Sequence, residues 1–327
     1  MTSNSVTQPK DDLCLQFKIV YFLVVAPFNI RIRIIQSLLQ HNINGRMHSL
    51  ARCLTTTRRV PQPLRFLSTI VVDPIPILDM TQLDDRLYAL QDDMASSLQN
   101  DGYFTTTDFL TDVESRAMRD QSIALRAEGR FEQSWSEAIG VDGVARRFDK
   151  KGVFATEPDG ADYETAPDIL VYMSWLLQRL PPALNDSMVQ SESLSNQAFN
   201  AKLAVTQPGG STYPLHIDNP QGLAANDTRK LTTIVYLNPD YVQGDGGELR
   251  VFLRNQEIRD CTPVGGRLLL FWSDEIPHEV LPTCPNADPN DVEKDRYALT
   301  VWIPTDAPSQ IHSSDSKFKT LRDEVFK

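Results

Sequence analysis

Between Ala201 and Ile303 the apolar residues of this chain recur at every second position, in short runs. Side chains on a β-strand point alternately to its two faces, so a period of two indicates strands. Gly, Pro, Asn and Asp clusters separate the runs, with no helical pattern between them. The runs are Lys202–Thr206, Leu231–Leu237, Glu248–Phe252, Arg267–Trp272 and Tyr297–Ile303. Such a series predicts two facing sheets of the jelly-roll or cupin kind, which protect their edges and enclose a pocket.

The preceding segment, residues 73–200, has helical spacing instead. A helix is predicted from Thr81 to the Asn100-Asp101-Gly102 stop, and a strand over Tyr103–Phe109 follows it. A second helix is predicted from Thr111 to Gly129, and a third over Leu170–Leu180, closed by Pro181-Pro182. The fold class is therefore α+β and mainly β, with helices on the N-terminal side of the sheets. Residues 201–308 are the predicted core, and residues 309–327 a polar tail.

The first 72 residues differ in charge from the rest of the chain. They carry nine basic and two acidic side chains, which leaves the remainder with 23 against 41, although the whole chain has a net charge of −11. Leu13–Val72 has no acid at all. This composition is typical of mitochondrial or plastid transit peptides, and a disordered basic arm of a cytoplasmic or nuclear protein is the alternative. Met47 is a second candidate start.

Two classes of protein are disfavoured by composition. The apolar run Ile19–Phe28 has ten residues, whereas a spanning helix needs about 20, so no stable membrane span is expected. The acidic net charge argues against a nucleic-acid partner. The four cysteines show no CxxC spacing and predict no disulfide framework.

Two histidines and one carboxylate are positioned to meet within the predicted barrel. On an extended strand His216 and Asp218 point to one face, while Ile217 points to the other. A lone pair of this kind is more often structural, but His278 follows among the later strands. Two His and one carboxylate on one face form the facial triad of non-heme Fe(II) oxygenases. The other histidines lie in the leader or the tail: His41, His48 and His312. The neighbouring acids Asp274 and Glu275 are expected to be solvated loop charges.

The last predicted strand carries a second set of candidate residues. Alternation places Arg296, Ala298, Thr300 and Trp302 on one face. Arginine presents a planar fork that binds a carboxylate bidentately, the small Ala298 leaves room, and Thr300 adds a hydroxyl. This set suits the distal carboxylate of 2-oxoglutarate. A surface arginine at a strand end is the alternative.

The run Leu231–Tyr236 aligns Thr232, Ile234 and Tyr236 on one face. The phenol of Tyr236 is able to donate a hydrogen bond to the same carboxylate, and Thr232 and Ile234 would line the pocket. A tyrosine in ordinary core packing is the alternative.

Six segments of this chain resemble, in order, those of Fe(II)/2-oxoglutarate-dependent prolyl 4-hydroxylases, and most closely the Egl-nine branch, which acts on hypoxia-inducible factor. The segments are His216–Pro220, Leu231–Asn238, Gly246–Phe252, Arg267–Asp274, Pro277–Pro282 and Arg296–Trp302. The resemblance covers residues 140–305 well and residues 73–140 more weakly. It implies a double-stranded β-helix, with Fe(II) on His216, Asp218 and His278. The co-substrates would be 2-oxoglutarate and O₂, and L-ascorbate would keep the iron ferrous.

The same resemblance implies that Arg296 binds 2-oxoglutarate, assisted by Tyr236 and Thr300. Arg147-Phe148-Asp149 is similar to the family's Arg-x-Asp segment at the mouth of the site. Asp149 would then order an iron-bound water or the substrate loop, and Arg147 and Trp302 are expected near the substrate.

The chain departs from the family's pattern at two places. Gln207 stands where the animal enzymes have a tyrosine that contacts the co-substrate, and it is expected to hydrogen-bond the carboxylate instead. An acidic insertion around Asn286–Asp295 is expected to bulge outward before Arg296.

These features predict a dioxygenase that hydroxylates a prolyl residue of a protein, with a role in oxygen sensing or the hypoxia response among the possibilities. A 2-oxoglutarate oxygenase acting on another amino-acid side chain or on a small molecule is the alternative. From a different class, the chain could be an inactive jelly-roll binding module. The intact triad and Arg296 count against that module.

Overall fold

A computed structural model describes residues 75–139, 145–314, 316 and 319–320 of this chain. The predicted leader, residues 1–72, and its targeting function lie outside the described residues. Everything described below belongs to one compact unit, Asp73–Lys327. None of the helices in these described ranges combines the length and the apolar character that a membrane crossing requires.

Two antiparallel sheets face each other across an apolar interior. Their strands are β1 (Tyr103–Thr106), β2 (Glu132–Ile139), β3 (Ala145–Thr156), β4 (Asn200–Thr206), β5 (Ser211–His216), β6 (Arg229–Tyr236), β7 (Leu249–Phe252), β8 (Ile258–Cys261), β9 (Leu268–Trp272), β10 (His278–Thr283) and β11 (Arg296–Pro304). The large sheet has the order β1-β9-β6-β11-β4-β3-β2, and the small sheet has the order β5-β10-β7-β8. This confirms the predicted jelly-roll, a double-stranded β-helix.

Alternation along the central strands separates two apolar clusters. On β9, Leu268, Leu270 and Trp272 pack in the cluster that the helices share, whereas Leu269 and Phe271 point between the two sheets. The interior of the barrel is therefore lined by one face of the large sheet, and that face also carries the candidate site on β6 and β11.

Three helices cover the outer face of the large sheet: α1 (Met80–Asp101), α2 (Asp112–Ala127) and α3 (Pro167–Ser187). Helix α1 starts one residue before the predicted Thr81, because the carboxylate of Asp79 accepts a hydrogen bond from the Thr81 N–H. It ends at Gly102, whose φ of 74° suits glycine. Helix α2 follows the predicted start at Thr111, and the structure shows that Thr111 and Glu114 form a capping box there.

The prediction that Pro181-Pro182 closes the third helix is wrong. Helix α3 continues through both prolines to Ser187. A proline ring holds φ near the helical value. Each proline therefore removes a backbone N–H donor, but the chain keeps its helical conformation. Leu180 and Leu184 are both buried in the core, and their packing holds the final turn.

Five of the observed strands were not predicted from alternation in the sequence. They are β2, β3, β5, β8 and β10. Strand β8 exposes three of its four residues, and β5 and β10 are mostly half-buried or exposed. Such strands carry little apolar periodicity. Strands β1, β2 and β3 come from residues 73–200, so this segment before the predicted core completes the large sheet. The predicted strand Tyr103–Phe109 ends at Thr106.

Candidate active site

Strands β5 and β10 bring two histidines face to face. His216 ends β5 and His278 begins β10, and the two residues pair directly in the antiparallel ladder. Their ring centroids are 4.2 Å apart. Asp218 lies beyond the end of β5, in a bend, so the prediction that His216 and Asp218 share one extended strand is wrong. The bend still turns the Asp218 side chain toward both rings.

The three side chains converge on one point. The Oδ1 atom of Asp218 lies 3.5 Å from His216 Nε2 and 3.8 Å from His278 Nε2. One ligand atom from each residue lies within 4.8 Å of the other two. This arrangement gives the two-histidine, one-carboxylate set of a non-heme Fe(II) site.

Backbone carbonyls fix the protonation of both rings. His216 Nδ1 lies 2.8 Å from the Pro214 carbonyl oxygen, and His278 Nδ1 lies 3.0 Å from that of Ile276. A carbonyl only accepts hydrogen bonds, so each Nδ1 carries the proton. Each Nε2 therefore keeps its lone pair for a metal, and the ring orientation is set before metal binds.

Two donors occupy the other oxygen of Asp218. The Thr232 hydroxyl donates to Asp218 Oδ2 at 2.7 Å, and the Trp302 indole N–H donates to the same atom at 2.8 Å. The Ser273 hydroxyl oxygen lies 2.7 Å from that of Thr232. Because Thr232 already donates its hydrogen to Asp218, Ser273 is the donor in this pair. Because Oδ2 is engaged, Oδ1 is the oxygen left for a metal.

The bend that carries Asp218 is held from both sides. Arg229 donates from Nη2 to the Asp218 carbonyl oxygen at 2.8 Å. The buried Asn219 donates its backbone N–H to the Ser273 carbonyl oxygen at 2.8 Å. The side-chain amide of Asn219 also donates to the carbonyl oxygens of Asp227 and Arg229, which gives this residue a specific role in holding the bend.

Burial and mutual charge prepare the triad for a cation. Burial favours the neutral form of Asp218, but His278 and His216, with the Trp302 hydrogen bond, hold the pKa of that carboxyl well below its usual range. Burial, and then His216 beside it, lower the pKa of His278 to about 4. At neutral pH Asp218 is therefore ionised and His278 is neutral, which are the forms that bind Fe(II).

Arg296 lies further along the same inward face, as predicted. It donates from Nε to the Gly247 carbonyl oxygen at 2.7 Å and from Nη2 to the Tyr236 hydroxyl oxygen at 3.2 Å. Only 7% of the residue is exposed. A Cβ on Gly247 would lie 2.9 Å from Arg296 Cδ, so glycine makes the room for this side chain.

The buried guanidinium has no carboxylate within ion-pair distance among the described residues. Burial lowers the pKa of Arg296 and raises the pKa of Tyr236 to about 12. Tyr236 thus stays protonated, and its O–H is free to donate while its oxygen accepts from Arg296. A buried cation beside a free phenolic donor fits an incoming carboxylate.

Comparison with known proteins agrees with this geometry. The sequence profile of the 2OG-Fe(II) oxygenase superfamily matches residues 201–304, which include the triad and Arg296. This core is a 2-oxoglutarate–Fe(II) oxygenase domain. Human prolyl hydroxylase EGLN3 is 40% identical to the chain over 124 residues, which cover 37% of this chain and 46% of that protein. The chain thus spans about half the length of the curated relatives it matches.

Solved structures share the fold of the oxygenase domain and its surrounding strands. A prolyl-4-hydroxylase from Pseudomonas putida superimposes with a TM-score of 0.51 and 26% identity, over 66% of this chain and 99% of that one. A prolyl hydroxylase from Trichoplax adhaerens, solved with a hypoxia-inducible-factor peptide, has a TM-score of 0.52 and 24% identity, over 75% and 98%. These matches confirm the predicted resemblance to Fe(II)/2-oxoglutarate prolyl hydroxylases.

The acidic insertion leaves Arg296 in register within the oxygenase domain. Arg296 starts β11 and pairs with Thr206 of β4. The preceding Asp295 is buried and ion-paired to Arg126 of α2. This ion pair anchors the chain after the insertion, although Asp288 and Asn290 are exposed, as an outward loop predicts.

The remaining predicted residues lie at different places in the domain. Thr300 is half-buried on the same face as Arg296, opposite Ile234. The backbone N–H of Gln207 donates to the Gly152 carbonyl oxygen, and no side-chain hydrogen bond links it to Arg296 among the described residues. Asp149 is exposed on β3 beside a groove. Arg147 lies on β3, and its side chain is outside the described part of the chain.

Sequence reasoning missed two residues beside the metal ligands of the oxygenase domain and a third on its inward face. The Tyr213 ring packs on the His216 ring, with centroids 4.7 Å apart. Lys150 Nζ lies 3.4 Å from the centre of the Tyr213 ring. Lys202 pairs with Thr300 across β4 and β11, on the inward face. Alternation along Lys202–Thr206 could have predicted that Lys202 faces inward. No local pattern predicts the position of Lys150.

The expectation that Asp274 is a solvated loop charge is wrong. It is fully buried and ion-paired with Lys230 at 3.2 Å. It also accepts a hydrogen bond from the His312 backbone N–H at 2.9 Å, which ties the tail to the domain. Glu275 is ion-paired with Arg254. Buried acids of this kind are paired because an isolated buried charge is costly.

Proposed function

We propose that this chain is an Fe(II)- and 2-oxoglutarate-dependent dioxygenase that hydroxylates a prolyl residue of a protein. The observation that carries the proposal is the pairing of two incomplete sites on one inward face. A metal triad with its lone pairs free lies at one end, and a buried arginine with no ion-paired carboxylate among the described residues lies at the other. The two are suited to the two ends of one co-substrate.

Each end has a defined task. His216, Asp218 and His278 would hold Fe(II), which when bound supplies O₂ activation and the coupled decarboxylation of 2-oxoglutarate to succinate. Arg296 and Tyr236 would orient the distal carboxylate through charge-assisted hydrogen bonds. The apolar Ile234, Leu269 and Phe271 on the same face exclude water from the pocket.

The similarity to prolyl hydroxylases supports a protein substrate. Both EGLN3 and the P. putida structure are prolyl hydroxylases by name, and residues 201–304, which match the oxygenase profile, contain the triad. We extend the proposal to L-ascorbate as the reductant that keeps iron ferrous, and to a role in oxygen sensing. An oxygen KM above cellular O₂ levels would support that role.

The test is turnover by the purified full-length chain. With Fe(II), 2-oxoglutarate and a peptide library in which every member contains proline, we expect succinate and a gain of one oxygen on proline by tandem mass spectrometry. His278→Ala should abolish both products while circular dichroism shows an intact fold. Hydroxylation found only on lysine or asparagine would overturn the prolyl assignment, and retained turnover in His278→Ala would overturn the metal site.

A further inference from the structure

The segment after β11 packs against the loop that follows the metal carboxylate. We call residues 308–314 the C-terminal strap. The backbone N–H of Ser314 donates to the Pro220 carbonyl oxygen at 2.9 Å, and Ile311 and Ser314 are both buried. A Cβ on Gly222, whose φ is 55°, would lie 2.8 Å from Ile311 Cγ2. Glycine at this position therefore lets the strap lie directly on the loop.

Asp274, just beyond the end of β9, fastens the C-terminal strap. Its Oδ2 atom accepts from the His312 backbone N–H at 2.9 Å, and its carbonyl oxygen accepts from the Ser314 hydroxyl. Lys230 is ion-paired with the same Oδ2 atom at 3.2 Å, and it donates to the Gln310 carbonyl oxygen at 2.9 Å. One buried ion pair is therefore bonded to alternate residues along the strap.

The strand ends that carry this ion pair also bond to the metal-bearing bend. The Asn219 backbone N–H donates to the Ser273 carbonyl oxygen, and the Ser273 backbone N–H donates to the Lys230 carbonyl oxygen, both at 2.8 Å. The residues after Asp218 are therefore bonded both to these strand ends and to the C-terminal strap. Asp218 Oδ1 lies 3.5 and 3.8 Å from the two histidine Nε2 atoms, so a shift of the bend would move this ligand atom.

Stability of the fold alone does not account for the ion pair between Asp274 and Lys230. Replacement of a buried ion pair by apolar residues of similar volume is often neutral or stabilising, because both charges lose their hydration when they are buried. Asp274 is fully buried, and its Oδ1 atom has no hydrogen-bond partner among the described residues. The pair therefore contributes little net stability, whereas its directional hydrogen bonds select one position for the C-terminal strap.

We infer that Asp274 and the backbone N–H of His312 are positioning groups for the metal site. By fastening the C-terminal strap against Pro220 they hold the bend, and the bend directs the Asp218 carboxylate at both histidines. Neither group is a metal ligand, so both act through Asp218. The inference rests on the proposed function, because it assigns these contacts to a site that binds a divalent metal. Partners outside the ligand set typically change metal affinity by about 10–100-fold.

A matched pair of substitutions at residue 312 tests the backbone hydrogen bond. His312→Pro removes the N–H donor. The preceding Ile311, with φ −86° and ψ 128°, already has the extended conformation that a residue before proline adopts. His312→Ala keeps the N–H and shortens an exposed side chain. In calorimetric titration of the metal-free, full-length chain with Mn(II), we expect the Kd to rise about tenfold in His312→Pro and to stay unchanged in His312→Ala.

A second pair of variants separates positioning from stability. The double variant Asp274→Leu with Lys230→Met replaces the ion pair by apolar side chains. It should keep the Tm near that of the parent, yet weaken Mn(II) binding about tenfold, because the C-terminal strap loses its hydrogen bonds. Glu114→Gln breaks a buried ion pair with Arg86 that joins α1 to α2. It should lower the Tm and leave Mn(II) affinity unchanged, and thermal unfolding checks that each variant folds.

The outcomes separate this inference from the proposed function. Unchanged Mn(II) affinity in either His312→Pro or the double variant would overturn the inference. Equal weakening in Glu114→Gln would also overturn it, because general loosening of the fold would then explain the loss. Strap-dependent Mn(II) binding in a parent chain that forms no succinate with Fe(II) and 2-oxoglutarate would leave the inference standing and refute the proposed function. Succinate formation by the parent, with metal affinity independent of the strap, would refute the inference alone.

Discussion

The hydrogen bond from Thr232 to Asp218 offers a sharp test of how the metal site is built. Thr232 is fully buried, and its hydroxyl donates at 2.7 Å to the Asp218 oxygen that faces away from the histidines. Thr232→Val keeps the shape of the side chain and removes its hydroxyl, which donates to Asp218 and accepts from Ser273. Asp218 would keep its Trp302 hydrogen bond, but its carboxylate would be free to rotate and to present either oxygen.

The structure gives the size of the effect. A hydrogen bond to a charged group contributes about 1.5–3 kcal/mol, and for a unit of this size each kcal/mol shifts the Tm by about 2–4 °C. The metal-free Thr232→Val protein should therefore melt about 3–12 °C below the parent. Loss of an outer hydrogen bond to a metal ligand typically weakens metal affinity by about 10–100-fold.

The adjacent residue supplies a matched control. Thr233 is 1% exposed on the other face of β6, and its hydroxyl donates to the Val301 carbonyl oxygen at 3.2 Å. Thr233→Val also removes a buried hydroxyl, but it leaves Asp218 untouched. It should cost about 1 kcal/mol of unfolding free energy and leave metal affinity unchanged.

Calorimetric titration with Mn(II) as a redox-stable probe measures the affinity, and thermal unfolding with and without metal measures the stability. If Thr232→Val binds Mn(II) as tightly as the parent, the orientation of Asp218 does not depend on this donor. If Thr233→Val loses affinity equally, general loosening of β6 explains the result, and the argument from Asp218 fails.

Three further perturbations test other parts of the site. Arg296→Lys should raise the KM for 2-oxoglutarate by about 10–100-fold in a succinate assay, because an ammonium lacks the planar fork; an unchanged KM would contradict the role of Arg296. Asp274→Asn leaves the buried Lys230 without its closest carboxylate and should cost about 3 kcal/mol in denaturant unfolding. Lys230→Met should restore most of that loss in the double variant. Burial holds the pKa of His278 near 4 in the folded state, below its unfolded value. The unfolded protein therefore binds more protons between about pH 4 and 6.5, so the metal-free Tm should fall as pH drops from 7 to 5, with a weaker slope in His278→Gln.

The elements that the sequence predicted well are those buried on one or both faces. Alternation of large apolar residues marks β6, β9 and β11, because a strand packed between layers must carry apolar side chains. Strands β5 and β10 hold two of the three ligands yet have little alternation. Their position depends on pairing with each other, which no local pattern encodes. Local sequence also failed to predict the end of the third helix. Packing of Leu184 in the core stabilises the helix beyond its two prolines.

For the site itself, the sequence alone determined which residue types can bind iron and a dicarboxylate: His216, Asp218, His278, Arg296 and Tyr236. Those choices follow from ligand chemistry and from the face that alternation assigns. Only the tertiary structure showed that Thr232 and Trp302 hold Asp218, and that Lys150 lies over the Tyr213 ring. These contacts join strands far apart in the chain, and they are set by sheet register and by the bend after β5. The sequence therefore determined the chemistry of the site, whereas long-range packing fixed the orientation of its side chains.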